Sequence, residues 1–161
     1  MNGFVKYLQK SVESVSGRYH KLVLVTGSFD SGKTDLLRMY ERMNPEDIKY
    51  INLNHDLTRR LMDIPSSQLP LESEKCVNEI FKEYKSPILL VDNIEELFDP
   101  VLSLDPLRLL QRLSRSKTLV VAWPGRYKEG DVSYAEPGYK EYKAYSIKDL
   151  VVIDLIGGKH R

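Results

Sequence analysis

Residues 22–34 read LVLVTGSFDSGKT, and this stretch decides the fold. The apolar run 22–25 is rich in β-branched residues, which is typical of a strand buried on both faces of a sheet. Segment 27–34 fits the pattern G-x-x-x-x-G-K-[ST], and residues 34–44 carry apolar side chains at helical spacing. A strand, a glycine-rich loop and a helix in this order predict a loop that binds phosphate groups.

Each residue type in this loop has a chemical reason to be there. Gly27 and Gly32 let the backbone turn so tightly that successive N–H groups point inward, and the start of the next helix adds positive charge. We expect Lys33 to bind the β- and γ-phosphates of a nucleoside triphosphate such as ATP, and Thr34 to offer its hydroxyl to Mg²⁺. The predicted cofactor-binding residues are Gly27, Ser28, Phe29, Asp30, Ser31, Gly32, Lys33, Thr34 and Asp35.

A second apolar run, residues 88–91, ends at Asp92. A carboxylate at the tip of a strand beside the loop is suited to orienting Mg²⁺ and its waters, so Thr34 and Asp92 are the predicted metal site. Many P-loop ATPases carry a glutamate at the following position as the base for the attacking water, but this chain has Asn93, which cannot accept a proton. We therefore expect slow hydrolysis.

Three further charged residues are candidates for a catalytic role. Glu95 or Glu96 could act as the base in place of Asn93, or both could be solvated residues of a short helix. Arg126 follows the predicted fourth strand at the sheet edge that borders the ligand crevice, where it could contact a γ-phosphate, a neighbouring subunit or only solvent. The predicted catalytic residues are Lys33, Asp92, Asn93, Glu95 and Arg126.

Strands that alternate with helices predict an α/β fold with a mostly parallel sheet. The five apolar segments expected to form strands are 22–25, 48–53, 88–91, 119–123 and 150–156. The length of 161 residues suggests one domain over 1–161, with an N-terminal helix at about 3–17 and a tyrosine-rich excursion at about 126–146. The stretch that follows the second strand is polar and broken by Pro65 and Pro70, and it is predicted to be irregular.

Composition excludes several classes of protein. Lys and Arg number 24 and Asp and Glu number 23, so the net charge of +1 does not indicate DNA contact, although it leaves a local basic patch possible. The single cysteine excludes a disulfide framework. No apolar run approaches the ~18 residues of a membrane span, and the N-terminus lacks a signal-peptide core, so we expect a cytoplasmic protein without membrane contact.

The two phosphate-site segments resemble the Walker A and B motifs of P-loop NTPases at large. A narrower resemblance runs over nearly the whole chain. Residues 91–127, VDNIEELFDPVLSLDPLRLLQRLSRSKTLVVAWPGRY, followed by SYAEPGYKEY at 133–142, are similar to the BrxF family of small P-loop proteins from type 3 BREX phage-exclusion systems. The segments AWPGRY and YAEPGYKEY are its most specific parts.

We predict a three-layer P-loop fold that departs from larger AAA-type ATPases in having no helical lid domain. The resemblance implies that nucleotide is bound at 27–34 and Asp92. It also implies a bacterial or archaeal cytoplasmic protein that acts in antiviral defence beside other BREX proteins: a methyltransferase, a large ATPase, a PglZ-type protein and a helicase. It assigns no role to Arg126 or to the tyrosines of the excursion.

Three functions are compatible with these residues. The first is a weak ATPase or nucleotide-dependent switch in a defence assembly. The second is a small-molecule or nucleotide kinase, because Asp56, Arg59 and Arg60 follow the second strand where such kinases bind acceptors; however, kinases of this kind usually carry several arginines before the last strand, where this chain has only Arg126. The third is a non-hydrolysing adaptor that needs nucleotide only for folding or assembly.

Partners would contact two further groups of side chains. Arg108, Arg112 and Arg115 recur at helical spacing, either as a solvated helix face or as a source of an arginine finger for a neighbouring copy. The tyrosines of the excursion could stack on bases or contact a protein; they are Tyr127, Tyr134, Tyr139, Tyr142 and Tyr145. We expect self-association that ATP strengthens.

Overall fold

The computed structural model describes residues 2–28, 30–155 and 159–160. Along these residues the helices are α1 (Asn2–Val15), α2 (Lys33–Met43), α3 (Leu53–Leu61), α4 (Leu69–Glu83) and α5 (Pro106–Leu113). The strands are β1 (Leu22–Thr26), β2 (Ile48–Asn52), β3 (Ile88–Asp92), β4 (Thr118–Ala122), β5 (Arg126–Lys128), β6 (Asp131–Tyr134), β7 (Lys143–Ser146), β8 (Val151–Asp154) and β9 (Lys159–His160).

The main sheet has the strand order β2-β3-β4-β1-β8-β9. The first five strands of this order are parallel, with Leu22 opposite Leu119 and Ile48 opposite Ile88. The mostly parallel five-stranded sheet predicted from the sequence is therefore confirmed, and the short strand β9 adds an antiparallel sixth strand. Ile156, the predicted end of the last parallel strand, lies outside the described residues.

Helices cover both faces of this sheet. Along β1, Leu22 and Leu24 pack into the core formed with α3, α4 and α5, whereas Val23 and Val25 pack into the core formed with α1 and α2. All five residues of β1 are buried, since each face of the strand meets a helix layer. This two-sided burial explains why the strand has a continuous apolar run rather than alternating polarity.

The stretch after the second strand is helical, so the prediction of an irregular segment there is wrong. Leu53 and Leu57 lie one turn apart on α3 and are fully buried, and the side chain of Asn52 caps the helix by accepting a hydrogen bond from the backbone N–H of His55 at 3.2 Å. Pro70 lies in the first turn of α4, where its missing N–H costs no hydrogen bond. Tertiary burial of two leucines decides this segment despite its polar composition.

The tyrosine-rich excursion forms a second, three-stranded antiparallel sheet in the order β5-β6-β7. Trp123 is fully buried where β4 ends, and its Nε1 donates to the backbone oxygen of Ser133 at 3.0 Å. A Cβ on Gly125 would lie 1.5 Å from that oxygen, so only glycine permits this approach. The ring of Tyr134 stacks on Phe98 with centroids 4.0 Å apart. These contacts fix the small sheet beside the carboxyl end of β4.

Candidate nucleotide-binding site

The glycine-rich loop connects β1 to α2 at the carboxyl edge of the main sheet. Gly27 has a φ of 155° and Gly32 a φ of 97°, in the region that favours glycine. A Cβ on Gly27 would lie 2.2 Å from the Oγ and 2.9 Å from the Cβ of Ser31, so Ser31 would have to shift to admit any side chain there. The two glycines thus hold the tight turn for which the sequence motif selects them.

Lys33 bonds to the loop itself. Its Nζ donates to the backbone oxygen of Gly27 at 2.6 Å and to that of Ser28 at 3.0 Å. Burial lowers the pKa of Lys33, while the charges of Asp92 and Glu95 oppose that change. A half-buried ammonium held by neutral carbonyls gains from an anionic partner, so phosphate oxygens at this point would bind it more strongly than the loop does.

The remaining loop residues predicted to hold nucleotide occupy the same turn. The hydroxyl of Ser31 donates to the backbone oxygen of Ser28 at 2.7 Å, and the hydroxyl of Ser28 donates to Asp30 at 3.1 Å. Asp35 is exposed in the first turn of α2, and Phe29 lies outside the described residues. Nothing in these contacts assigns Asp35 or Asp30 to a ligand, so their roles stay predictions.

Asp92 lies directly against the loop, at the end of β3. Only 4% of it is exposed. Its Oδ2 accepts hydrogen bonds from the Oγ1 of Thr34 and the Oη of Tyr50, both at 2.6 Å, while Oδ1 accepts from the N–H of Asn93 at 3.0 Å. The predicted metal pair, Thr34 and Asp92, is therefore in direct contact, and one hydroxyl and one carboxylate can orient Mg²⁺ that is also bound by phosphates and water.

Sequence analysis did not identify Tyr50 as part of this site. It lies on β2, the strand that pairs with β3, and burial, the hydrogen bond to Asp92 and the charge of Asp92 together raise its pKa above its ordinary value. The guanidinium of Arg38 lies over its ring, 3.6 Å from the centroid. The only signal in the sequence was a tyrosine two residues before the end of a strand that neighbours the Asp92 strand.

Asn93 lines the cavity and also allows a sharp turn of the backbone. Its φ of 55° is a left-handed conformation that asparagine adopts more readily than most residues. Its N–H donates to Asp92 and its carbonyl oxygen accepts from the N–H of Asn54 at 2.9 Å. The asparagine thus allows the chain to turn sharply after β3, a reason for this residue type that does not involve a water molecule.

The structure distinguishes the two glutamates that the sequence left equivalent. Both lie in the 3₁₀ turn Glu95–Phe98. Glu96 is bound outside the site, since its carboxylate accepts from the hydroxyl of Thr58 at 2.8 Å and its N–H donates to the side chain of Asn54. Glu95 is exposed and lines the cavity beside Lys33, whose pKa its charge raises. Only Glu95 faces the place where the phosphates would lie.

Two cavities adjoin the loop, one on each side of Pro124. The first, of about 250 Å³, is lined by Lys33, Thr34, Asp92, Asn93, Glu95, Ala122, Pro124 and Tyr134. The second, of about 520 Å³, is lined by Gly27, Ser28, Pro124, Gly125, Arg126, Ser133, Ala135 and Glu136. The small sheet therefore supplies walls to both cavities, and Tyr134 is a second site residue that sequence analysis did not place there.

Arg126 lies in the second cavity and not in the first. Its side chain is 79% exposed and pairs with Glu136 at 3.3 Å. A γ-phosphate beside Lys33 would fall in the first cavity, so Arg126 is not brought together with the other predicted catalytic residues. A catalytic role for Arg126 stays a prediction.

The residues that suggested a kinase form a separate cavity of about 520 Å³ between α3 and α4. Arg60 binds Glu79 at 3.2 Å and also Glu83, while Asp56 accepts a hydrogen bond from the hydroxyl of Tyr84. These charges are used between the two helices. Arg59 also lines this cavity, and among the described residues its side chain forms no hydrogen bond or ion pair.

Three structural features together define the fold: the strand order, a phosphate loop between β1 and α2, and an aspartate at the tip of β3 that binds the hydroxyl of the loop. The chain has a P-loop NTPase fold. No helix in the described part of the chain has both the length and the apolarity to cross a membrane.

Comparison with solved structures found a number of similar chains, among them the following two. Domain III of the replication initiation protein DnaA from Thermotoga maritima has a TM-score of 0.45 and 24% identity, over 75% of this chain and 50% of that one. PCH-2 from C. elegans has a TM-score of 0.42 and 20% identity, over 76% of this chain and 36% of that one. The chain therefore spans half or less of either structure. No family model and no curated protein matches it.

We expect Asp92→Asn to remove most of the Mg²⁺ dependence of nucleotide binding. The substitution keeps the side-chain shape but removes the charge that would orient the metal, so the Mg²⁺ enhancement of ATP affinity should fall roughly 10–100-fold. Titration of a fluorescent ATP analogue with Mg²⁺ and with a chelator measures it. Asp63→Asn, an exposed aspartate after α3, is the matched control. A mutant that responds to Mg²⁺ as the wild type does would place the metal carboxylate elsewhere.

Proposed function

We propose that the protein binds ATP with Mg²⁺ at the phosphate loop and acts as a slow ATPase or nucleotide-dependent switch. The contact between Thr34 and Asp92 at 2.6 Å carries this proposal. These residues come from α2 and β3, and they meet beside a lysine that is held by neutral carbonyls. Hydroxyl, carboxylate and ammonium groups in this arrangement are suited to a magnesium triphosphate.

The proposed rate is low because the base is poorly placed. A positioned general base contributes ~10²–10⁴-fold to catalysis. Asn93 cannot accept a proton, and Glu95 is an exposed side chain at the edge of the cavity with no hydrogen bond that orients it among the described residues. The isolated protein should therefore turn over below ~1 s⁻¹, near the lower end of ordinary enzymes.

Phosphate release at saturating ATP and Mg²⁺ tests this proposal, with Lys33→Ala as the blank. We expect a slow rate that small-molecule or nucleotide acceptors do not raise, because the candidate acceptor residues Arg60 and Asp56 are bound to neighbouring side chains. Turnover at tens per second would contradict the proposed switch, and phosphate transfer to an added acceptor would support a kinase instead.

We further propose that this activity serves a BREX assembly in phage defence. The support is the resemblance of AWPGRY and YAEPGYKEY, together with the observation that these segments build the walls of the nucleotide cavities through Gly125, Arg126 and Tyr134. In a host that a type 3 BREX locus protects against phage, cells that carry the Lys33→Ala allele should be as sensitive in a plaque assay as cells that lack the gene. Full protection by that allele would contradict a nucleotide-dependent role.

We also propose that the protein self-associates through the surface around the two cavities beside the loop. Tyr134 stacks on Phe98 and the hydroxyl of Tyr145 donates to Asp105, so these tyrosines stabilise the fold, whereas Tyr139 is exposed. Both cavities beside the loop open to solvent, and a second copy would cover them. Mass measured by sedimentation should rise with ATP. A rise with ATP in a protein that releases no phosphate would support the non-hydrolysing adaptor; a monomer under every condition would contradict self-association.

A further inference from the structure

A group of basic side chains, here called the basic face, lies at the edge of the main sheet opposite the phosphate loop. It comprises Arg18, Lys21, Lys82, Lys85, Arg108, Arg112, Arg115, Lys117 and Lys148. Several of them directly precede the amino ends of β1, β3, β4 and β8, while the nucleotide residues follow the carboxyl ends of the same parallel strands. The two sets of residues are therefore separated by the length of the sheet.

Two contacts join Lys21, Arg115 and the neighbouring Tyr19, and two cavities bring other members of the basic face together. The Nζ of Lys21 donates to the backbone oxygen of Arg115 at 2.7 Å, and the guanidinium of Arg115 lies 4.6 Å from the ring centroid of Tyr19. A cavity of about 290 Å³ is lined by Lys82, Arg112 and Lys117 among others. Arg18, Arg108 and Lys148 contribute, together with Asp149 and other residues, to a second cavity of about 470 Å³.

Most of these cations have no acidic partner. Among the described residues, the ion pairs within 4.0 Å that involve the basic face are those of Arg108 with Asp105 and of Arg112 with Glu74. The Nζ of Lys117 donates to the backbone oxygen of Phe81 at 3.0 Å, and burial together with the charge of Lys85 lowers its pKa. Cations that are partly desolvated beside other cations repel one another, and an anion bound here would relieve that repulsion.

The overall net charge of +1 does not exclude such a local cluster of cations. Among the residues that the structure describes, acidic ones near the basic face are fewer than the cations: Asp105 and Glu74 pair with two of its arginines, and Asp149 lines one of its cavities. Other acidic residues lie away from it, since Glu79 and Glu83 face α3, and Glu129, Asp131, Glu136 and Glu141 belong to the small sheet and its loops. A local excess of cations on one face of a nearly neutral protein is the usual electrostatic sign of a polyanion-binding surface.

The side chains of the basic face favour a phosphodiester backbone over an acidic protein. Arginine forks match phosphate geometry, and the face offers three of them along α5 and the turn that follows it. Tyr19 is 68% exposed beside Arg115, which provides an aromatic surface on which a base can stack.

We propose that the basic face binds the phosphodiester backbone of nucleic acid, without sequence preference, at the opposite edge of the protein from ATP. Binding of this kind releases counterions, so it weakens steeply as salt rises, with affinities of order 10⁻⁴–10⁻⁶ M at physiological salt. Because the two sites do not overlap, nucleic acid and nucleotide can be bound at the same time. A substitution that abolishes nucleic-acid binding need not abolish nucleotide binding.

Fluorescence anisotropy with labelled 20-mer duplex and single-stranded DNA tests this proposal in the full chain. The variant Arg115→Glu/Lys148→Glu changes two exposed side chains that form no ion pair within 4.0 Å among the described residues. We expect its affinity to fall at least tenfold and its salt slope to decrease by about two, since each lost phosphate contact removes about one unit. Tighter binding of the single strand, weakened by Tyr19→Ala, would indicate base stacking in addition.

The matched control is Lys6→Glu/Lys10→Glu on the exposed side of α1, which changes the net charge equally and should keep DNA affinity. ATP titration of both variants reports the fold and the nucleotide site independently; if the first variant fails to fold, the neutral Arg115→Gln/Lys148→Gln replaces it. No measurable binding by the wild type, an unchanged affinity in the basic-face variant, an equal loss in the control, or tighter binding of poly-L-glutamate than of DNA would each overturn the proposal.

Discussion

Lys33→Ala should weaken ATP binding by roughly 10- to 150-fold. The lysine is the ammonium that a triphosphate would take over from the loop carbonyls, and a hydrogen bond to a charged group contributes ~1.5–3 kcal/mol. Burial of that ammonium in the absence of ligand makes the exchange favourable, because the phosphates restore the electrostatic stabilisation that water no longer supplies. Titration with a fluorescent ATP analogue measures the change.

The fold should survive this substitution. The backbone oxygen of Ser28 keeps its bonds from the N–H and the hydroxyl of Ser31 when the lysine is removed. A thermal melt is therefore expected to shift by little, and Lys10→Ala, an exposed lysine of α1, serves as the control for loss of one charge. Affinity like that of the wild type in a folded Lys33→Ala protein would refute the phosphate-loop assignment.

Glu95→Gln should slow the already slow hydrolysis by roughly tenfold, less than the ~10²–10⁴-fold contribution of a well-positioned base, while Glu96→Gln should leave it nearly unchanged. The two carboxylates are adjacent in sequence and chemically identical. Glu95 lines the cavity that holds Lys33 and Asp92, whereas Glu96 binds the hydroxyl of Thr58 outside it. Single-turnover measurements with saturating protein separate the chemical step from nucleotide binding, which neither substitution should change appreciably.

Each of the two variants is the control for the other, since each removes one negative charge from the same 3₁₀ turn. Equal rates in both variants would mean that neither carboxylate is the base; a partner that supplies the missing group should then raise the rate on assembly. Loss of activity in Glu96→Gln alone would show that the cavity rearranges when nucleotide binds.

The phosphate loop and the sheet were predictable because their signals are local. Two glycines, a lysine and a threonine at fixed spacing, after an apolar run buried on both faces, constrain the backbone with few alternatives. Asp92 was predictable for the same reason, as a carboxylate at the end of an apolar run. In each case the residue type and its position in one element were sufficient.

Helix α3 was not predictable from its own residues, because it is stabilised mainly by burial of Leu53 and Leu57 against other elements. The small sheet likewise depends on contacts between segments that are distant in sequence, such as the stacking of Phe98 on Tyr134. Propensity reports only the local preference of a segment, and packing against a distant surface can outweigh it.

The sequence by itself determined the phosphate loop, the aspartate at the end of β3 and the parallel sheet, since each depends on short-range pattern. Only the tertiary structure decided that Tyr50 binds Asp92, that Glu95 rather than Glu96 faces the cavity, and that the basic residues collect at the opposite edge. The physical reason is that folding brings together side chains that are tens of residues apart in the sequence. The net charge, which is a sum over the whole chain, does not report where the fold places each charge.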